Sequence, residues 1–176
     1  STLLQSGGLE FLNLKYLPDF KKLSKLNFNS NLALFTFLYN SCDKKDLISS
    51  LEFLKPSNNL KDYFIKFQKL LALAHPCEKT DIKTMLTLAE KQIVSDYLSY
   101  ISVFYDCDEN MLKKMLDECL TEPYLVSHLA INGNDLIKMG YSGEQVGSTL
   151  KLLQKKVIEN PALNQKDLLI NLINLA

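Results

Sequence analysis

The stretch that decides the fold is LAINGNDLIK, residues 129–138, which Met139-Gly140 follow directly. Its apolar lead-in gives way to an Asn-Gly pair, which tolerates a positive φ at small cost. We predict a tight turn followed by an abrupt helix start, with Asn134 as the N-cap and Asp135 at the positive end of the helix. The free N–H groups of such a start suit a phosphate or another anion, while the plainer interpretation is a helix–helix corner.

Outward from this corner, apolar residues recur at steps of three and four along the whole chain, without sustained alternation. This period predicts an all-α protein, with a compact multi-helix body at 1–121 and a small C-terminal helical tail at 122–176. Capping and helix-breaking residues predict the helix ends. The predicted helical segments are 20–26, 31–41, 43–54 capped by Asp43, 57–74 capped by Ser57, 80–105 with or without a kink, 108–120 capped by Asp108, 134–140, 142–159 opened by a Ser142-x-x-Gln145 capping box, and a last helix from Asn164.

The charge balance of the whole chain does not predict nucleic-acid binding. The chain has 20 Lys plus Arg, 20 Asp plus Glu and a formal net charge of zero, so only a local basic stripe could attract phosphates. Every basic residue other than histidine is a lysine. Bidentate guanidinium contacts are therefore excluded, and any phosphate contact must come from Lys, backbone N–H groups, or Asn, Ser and Thr.

Cysteine spacing and hydropathy indicate whether the chain binds a metal, spans a membrane or is secreted. Cys42, Cys77, Cys107 and Cys119 show no C-x-x-C spacing, which favours buried free thiols over a zinc site. No stretch of about twenty apolar residues and no signal peptide is visible. We therefore expect a cytoplasmic protein with no membrane partner and no metal site.

The corner and its sequel resemble the C-terminal tail of bacterial-type CCA-adding tRNA nucleotidyltransferases and their poly(A) polymerase relatives. That tail begins with the motif L-A-[IV]-N-G-x-D-[LVI]-[IL], which residues 129–137 match one by one. A glycine-containing turn, a long helix and a short terminal helix then follow in the family's order. Residues 3–18 and 53–60 resemble the family's neck-proximal step and a helix start of its body, so the similarity spans nearly the whole chain.

The family's catalytic motifs have no counterpart in this chain. Its Gly-Gly-x-Val-Arg-Asp strand–turn, its metal-binding carboxylates and its Asp/Glu-x-x-Arg neck motif are all missing. Asp106 and Asp108 spell D-x-D, but helix capping explains both. The resemblance therefore implies a body and tail without catalytic residues or a cofactor, whose parent enzyme would use Mg²⁺ and CTP or ATP in a catalytic head.

The function implied by the resemblance is RNA binding. Such a body and tail would position the acceptor and T arms of tRNA for nucleotide addition to the 3′ end by the absent head and neck, with shape and backbone recognition and no role for DNA. Lys151 and Lys155 are four residues apart and share a helix face. The predicted RNA contacts are Asn132, Gly133, Asn134, Lys138, Lys151 and Lys155.

Two alternatives stay open at this point. The lysine face can be the ordinary solvated side of an amphipathic helix, and the whole chain can be a helical protein-interaction or regulatory domain without RNA binding. The aromatic residues Tyr97, Tyr100 and Phe104 recur at helical spacing, which favours a core stripe over a platform for stacked bases.

Overall fold

A computed structural model describes residues 19–26, 30–41 and 55–174. Over these residues the expected all-α fold is confirmed, because they form nine α-helices and two short 3₁₀ turns without a strand. The predicted helix at 43–54, Cys42 and the similarity at 3–18 lie outside the described residues. The helices are α1 (Phe20–Leu23), α2 (Ser30–Ser41), α3 (Asn58–Leu71), α4 (Lys79–Leu88), α5 (Lys91–Tyr105), α6 (Glu109–Leu120), α7 (Gly133–Lys138), α8 (Glu144–Glu159) and α9 (Lys166–Asn174).

The predicted cap of α3 is confirmed, whereas the break within 80–105 differs from the sequence prediction. Ser57 is the N-cap of α3, and its hydroxyl accepts a hydrogen bond from the Leu60 N–H at 3.3 Å, as predicted. The segment 80–105 is not one helix, because Ala89 adopts an extended conformation (φ −149°, ψ 155°) between α4 and α5. The prediction failed there because both flanking segments keep the helical apolar period.

The predicted starts of the last two helices are wrong. Gly143, with φ +55°, precedes α8 in place of a Ser142 capping box, and that left-handed conformation favours glycine. Asn164 does not open α9, because its side chain is used elsewhere. Its amide N–H donates to the His128 carbonyl at 2.9 Å, and its Oδ1 accepts from the Ala130 N–H at 2.8 Å.

The chain divides into two compact units, which differ from the sequence-based division at residue 121. The first unit comprises Ser1–Ala74 and Lys91–Glu109, and the second comprises His75–Glu90 and Asn110–Ala176. Helix α4 and most of α6, assigned from sequence to the body, thus belong to the same unit as the tail helices. Lys83 of α4 contacts Glu122 and Ile158 of the tail, and Glu118 of α6 pairs with Lys79 of α4, which gives the physical reason.

The core of the first unit is aromatic. Phe67 of α3 lies at its centre, with its ring centroid 4.4 Å from that of Phe35, 5.9 Å from that of Tyr97 and 5.8 Å from that of Tyr100. All four side chains are buried. Burial raises the pKa of Tyr97 to about 12. Tyr97 and Tyr100 therefore form a core stripe, as the helical spacing indicated, and are not a platform for bases.

The core of the second unit is aliphatic. One cluster of its buried residues comes from the segment before α7 and from α7, α8 and α9: Ile131, Leu136, Leu153, Val157, Leu169 and Ile173. Gln154 connects α8 to the segment before α7 by a hydrogen bond, which its side-chain amide donates to the Tyr124 carbonyl at 2.9 Å. The tail helices and the segment leading into them therefore share one core, which fixes the positions of the corner and of α8.

Candidate functional site

The Asn-Gly corner is a closed cap. Asn132, in extended backbone conformation, is the N-cap of α7, and its Oδ1 accepts from the N–H groups of Asn134 at 2.9 Å and Asp135 at 3.2 Å. Asp135 Oδ2 accepts from the Asn132 N–H at 3.0 Å in return. The prediction of Asn134 as the cap is therefore wrong by two residues, and these three donors of the helix start are already used.

A distant lysine balances the charge of the corner. Lys166 Nζ of α9 lies 2.8 Å from Asp135 Oδ1. This hydrogen bond, followed by the one from the Asn132 N–H, lowers the pKa of Asp135 below its ordinary value. An anion approaching this helix start would meet an ionised carboxylate, so the start of α7 is a structural corner more than an anion site.

Gly133 allows close packing against α8 and does not adopt a positive φ. It is the first residue of α7, and a Cβ built there would lie 3.3 Å from Val146 Cγ1 of α8. Glycines with positive φ occur instead at Gly140 and Gly143 among the described residues. The sequence motif is therefore satisfied by an N-cap asparagine followed by a glycine against the next helix.

Lys151 and Lys155 line one open groove, with a volume of about 600 Å³. Helix α8 forms one wall, through Lys151, Gln154 and Lys155. The other wall is α4 with the residue before it. The lining residues are Glu78, Thr80, Asp81, Thr84, Thr87, Lys151, Gln154, Lys155, Ile158 and Glu159. The two lysines thus lie on the same side of α8, as their spacing predicted.

The two lysines of the groove are free to bind an anion. Both are exposed, and neither makes an ion pair with any part of the chain that the structure describes. Two other tail lysines, Lys156 and Lys166, contact a carboxylate, at 3.5 Å from Glu159 Oε2 and 2.8 Å from Asp135 Oδ1. Lys151 and Lys155 therefore differ from Lys156 and Lys166, because their ammonium groups have no carboxylate partner among the described residues.

The groove carries acidic residues as well, and two of them are engaged. Asp81 Oδ2 accepts from the N–H groups of Cys77 at 2.8 Å and Glu78 at 3.0 Å, while Glu159 faces Lys156. With Glu78, the lining has three carboxylates against two ammonium groups. The groove is therefore not a strongly basic surface, and any affinity for a polyanion will be modest.

An ion-pair network around the buried Lys83 connects α4, α6 and α8. Lys83, only 2% exposed, pairs with Glu122 Oε2 and donates to the Ile158 carbonyl in the last turn of α8 at 3.5 Å. Lys79 Nζ lies 2.7 Å from Glu118 Oε2 and 3.4 Å from Glu122 Oε1. The hydrogen bond from Lys83 is the largest cause that lowers the pKa of Glu122. This network positions the α4 wall of the groove relative to the α8 wall.

The structure therefore brings together only part of the predicted contact set. Lys151 and Lys155 line the groove, whereas Asn132, Gly133, Asn134 and Lys138 lie on the corner and are not among its lining residues. Asn134 and Lys138 are exposed there.

The α4 wall was missed from sequence. The polar spacing Thr80, Thr84 and Thr87, at i, i+4 and i+7, was the signal that could have revealed it.

The predicted free thiols hold different positions. Cys119 is buried, and burial raises the pKa of its thiol, whereas Cys77 is exposed and Cys107 is half-buried. The expectation of buried thiols is therefore confirmed for Cys119 and wrong for Cys77. Within the described ranges, no cluster of three His, Cys, Asp or Glu side chains could hold a metal ion.

No family model, curated protein or solved structure matches this chain. Within residues 19–26, 30–41 and 55–174, no helix has both the length and the apolar character needed to cross a membrane.

Proposed function

We propose that this chain is an RNA-binding helical module. It would position the acceptor and T arms of tRNA for 3′-end nucleotide addition by the head of a cytoplasmic CCA-adding or poly(A)-type polymerase. The observation that carries the proposal is the pair of unpaired lysines, Lys151 and Lys155, along one open groove. The tail motif at 129–137 supports the choice of RNA through the family it resembles. The exposed Asn134 and Lys138 on the corner are a second set of proposed contacts.

Lysine contacts of this kind position an RNA backbone without reading its sequence. Because the groove has only two free ammonium groups and the chain has no net charge, we expect weak binding that is visible at low salt. Folded RNA is recognised largely by shape and backbone, so such a surface suits an A-form arm.

The test is a gel shift with unfractionated tRNA at low salt, using the Lys151→Gln/Lys155→Gln variant. We expect an affinity loss on the order of tenfold, and the slope of log affinity against log salt should become shallower by about two, one for each lost phosphate contact. The matched control is Lys69→Gln/Lys114→Gln, which removes the same charge from two exposed helix positions outside the groove. Circular dichroism checks that both variants remain folded.

A second candidate is a helical protein-interaction domain without RNA binding. It is favoured by large apolar side chains exposed on the tail helices, where Ile137 is 58%, Leu152 49% and Leu168 38% accessible. The same gel shift separates the candidates. Absence of tRNA binding at low salt, or equal losses in the groove variant and the control, would reject the RNA proposal and favour the protein-interaction domain.

A further inference from the structure

The α4 wall of the groove offers hydrogen-bond acceptors. Thr84 and Thr87 each donate their hydroxyl hydrogen to a backbone carbonyl of α4, at 2.8 Å to Thr80 and 2.7 Å to Thr84, and the Thr80 hydroxyl donates to Glu78 Oε2 at 3.4 Å. A hydroxyl has one hydrogen and two lone pairs, so each of these oxygens can still accept. The Glu78 carboxylate adds acceptor capacity next to them.

The α8 wall offers the donors that remain. Lys151 and Lys155 each carry three ammonium hydrogens without a partner in the described ranges. The Gln154 amide is already used, since it donates to the Tyr124 carbonyl at 2.9 Å. A ligand that satisfies the groove must therefore present anions towards α8 and hydroxyl donors towards α4.

We propose that this groove binds the ribose-phosphate backbone of RNA, with phosphates on Lys151 and Lys155 and 2′-hydroxyl groups donating to the hydroxyl oxygens of Thr84 and Thr87. The inference rests on the RNA-binding function proposed above and adds selection of RNA over DNA to it. An A-form helix displays its 2′-hydroxyls beside its phosphates along a shallow minor groove, which suits two facing walls of this kind. A deoxyribose strand or a plain polyphosphate would leave the acceptors on α4 without donors.

The experiment compares two RNA hairpins of identical sequence, one with 2′-hydroxyl and one with 2′-fluoro groups. The fluoro sugar keeps the A-form but cannot donate a hydrogen bond. We expect the native chain to bind the hydroxyl hairpin about three- to tenfold more tightly, the range of one or two net hydrogen bonds.

The variant Thr84→Val/Thr87→Val keeps the branched shape but removes both hydroxyls. It should bind the two hairpins equally and leave affinity for the fluoro hairpin unchanged. Thr121→Val is the matched control, because the Thr121 hydroxyl also donates to a carbonyl three residues back, at 2.8 Å, but lies outside the groove. This control should keep the full preference for the hydroxyl hairpin.

The outcomes separate the two proposals. Equal affinity for both hairpins, with binding still dependent on Lys151 and Lys155, would overturn the 2′-hydroxyl inference and leave RNA binding intact. A preference that survives in the Thr84/Thr87 variant would overturn the inference in the same way. Failure to bind either hairpin at low salt would overturn the RNA proposal itself.

Discussion

The corner before α7 and the groove between α4 and α8 are both polar, lysine-containing surfaces of the second unit, yet they differ in what is left to bind. At the corner, Asp135 pairs with both Asn132 and Lys166, and the N–H groups of Asn132, Asn134 and Asp135 are already used. In the groove, Lys151 and Lys155 have no partner within the described part of the chain. A motif with the form of an anion site can thus have its polar groups already paired within the protein, while a site can arise where two helices far apart in sequence leave donors and acceptors unused.

The largest expected effect concerns the ion pair of Lys83 with Glu122, which helps to position the α4 wall of the groove. Glu122→Ala leaves the buried ammonium group of Lys83 without its carboxylate partner, and leaving a buried charge unpaired costs about 3 kcal/mol. Urea unfolding should show a decrease of that size in the free energy of unfolding. The control Glu159→Ala removes an exposed partner of Lys156 and should change it by less than about 0.5 kcal/mol. Equal effects of the two substitutions would mean that the network does not support the groove.

The next effect distinguishes the two glycines at the start of α8. Gly143→Ala forces a side chain into a left-handed conformation with φ +55° and should cost about 2 kcal/mol. Gly147→Ala lies inside the helix with nothing within 4 Å of the added Cβ, and should stabilise by about 0.5–1 kcal/mol. Thermal unfolding of the two variants measures whether each substitution lowers or raises stability. A destabilising Gly147→Ala would contradict the assigned helix start.

A smaller effect concerns the corner. Asn132→Ala removes the N-cap of α7 and should lower the free energy of unfolding by about 1 kcal/mol. Affinity for tRNA should be unchanged, because the Asn132 amide oxygen is already bonded within the helix start. An affinity loss as large as that of the Lys151→Gln/Lys155→Gln variant would show that the corner, and not the groove, is the main RNA surface.

The smallest effect is a pH dependence of the stability that the ion pair of Glu122 with Lys83 contributes. The pKa of Glu122 in the folded chain is below its ordinary value of 4.5, so its contribution to stability is present above that value and is lost as pH falls through the lower folded pKa. The stability difference between the native chain and Glu122→Gln should therefore narrow as pH is lowered below 4.5 in urea titrations. A difference that stays constant to lower pH would contradict the ion pair with Lys83.

Local patterns accounted for much of the helical framework. The Ser57 cap, the break after α6 and the shared face of Lys151 and Lys155 depend on residues within one or two turns, and each was predictable. The boundary at Ala89 and the starts of α8 and α9 were not, since these depended on backbone conformation or on hydrogen bonds to residues far along the chain. Half of the candidate site was missed for the same reason. The threonines of α4 line a groove only because α8 packs opposite them.

By itself, the sequence determined that the chain is helical and that Lys151 and Lys155 point to one side of α8, because the spacing of residues along a helix fixes which side chains share a face. Only the tertiary structure decided which polar groups remain available. Lys166 reaches Asp135 from another helix, and Lys83 holds α4 to the end of α8. These pairings join residues that are 31 and 75 positions apart, and such separations are set by how the helices pack rather than by any local pattern.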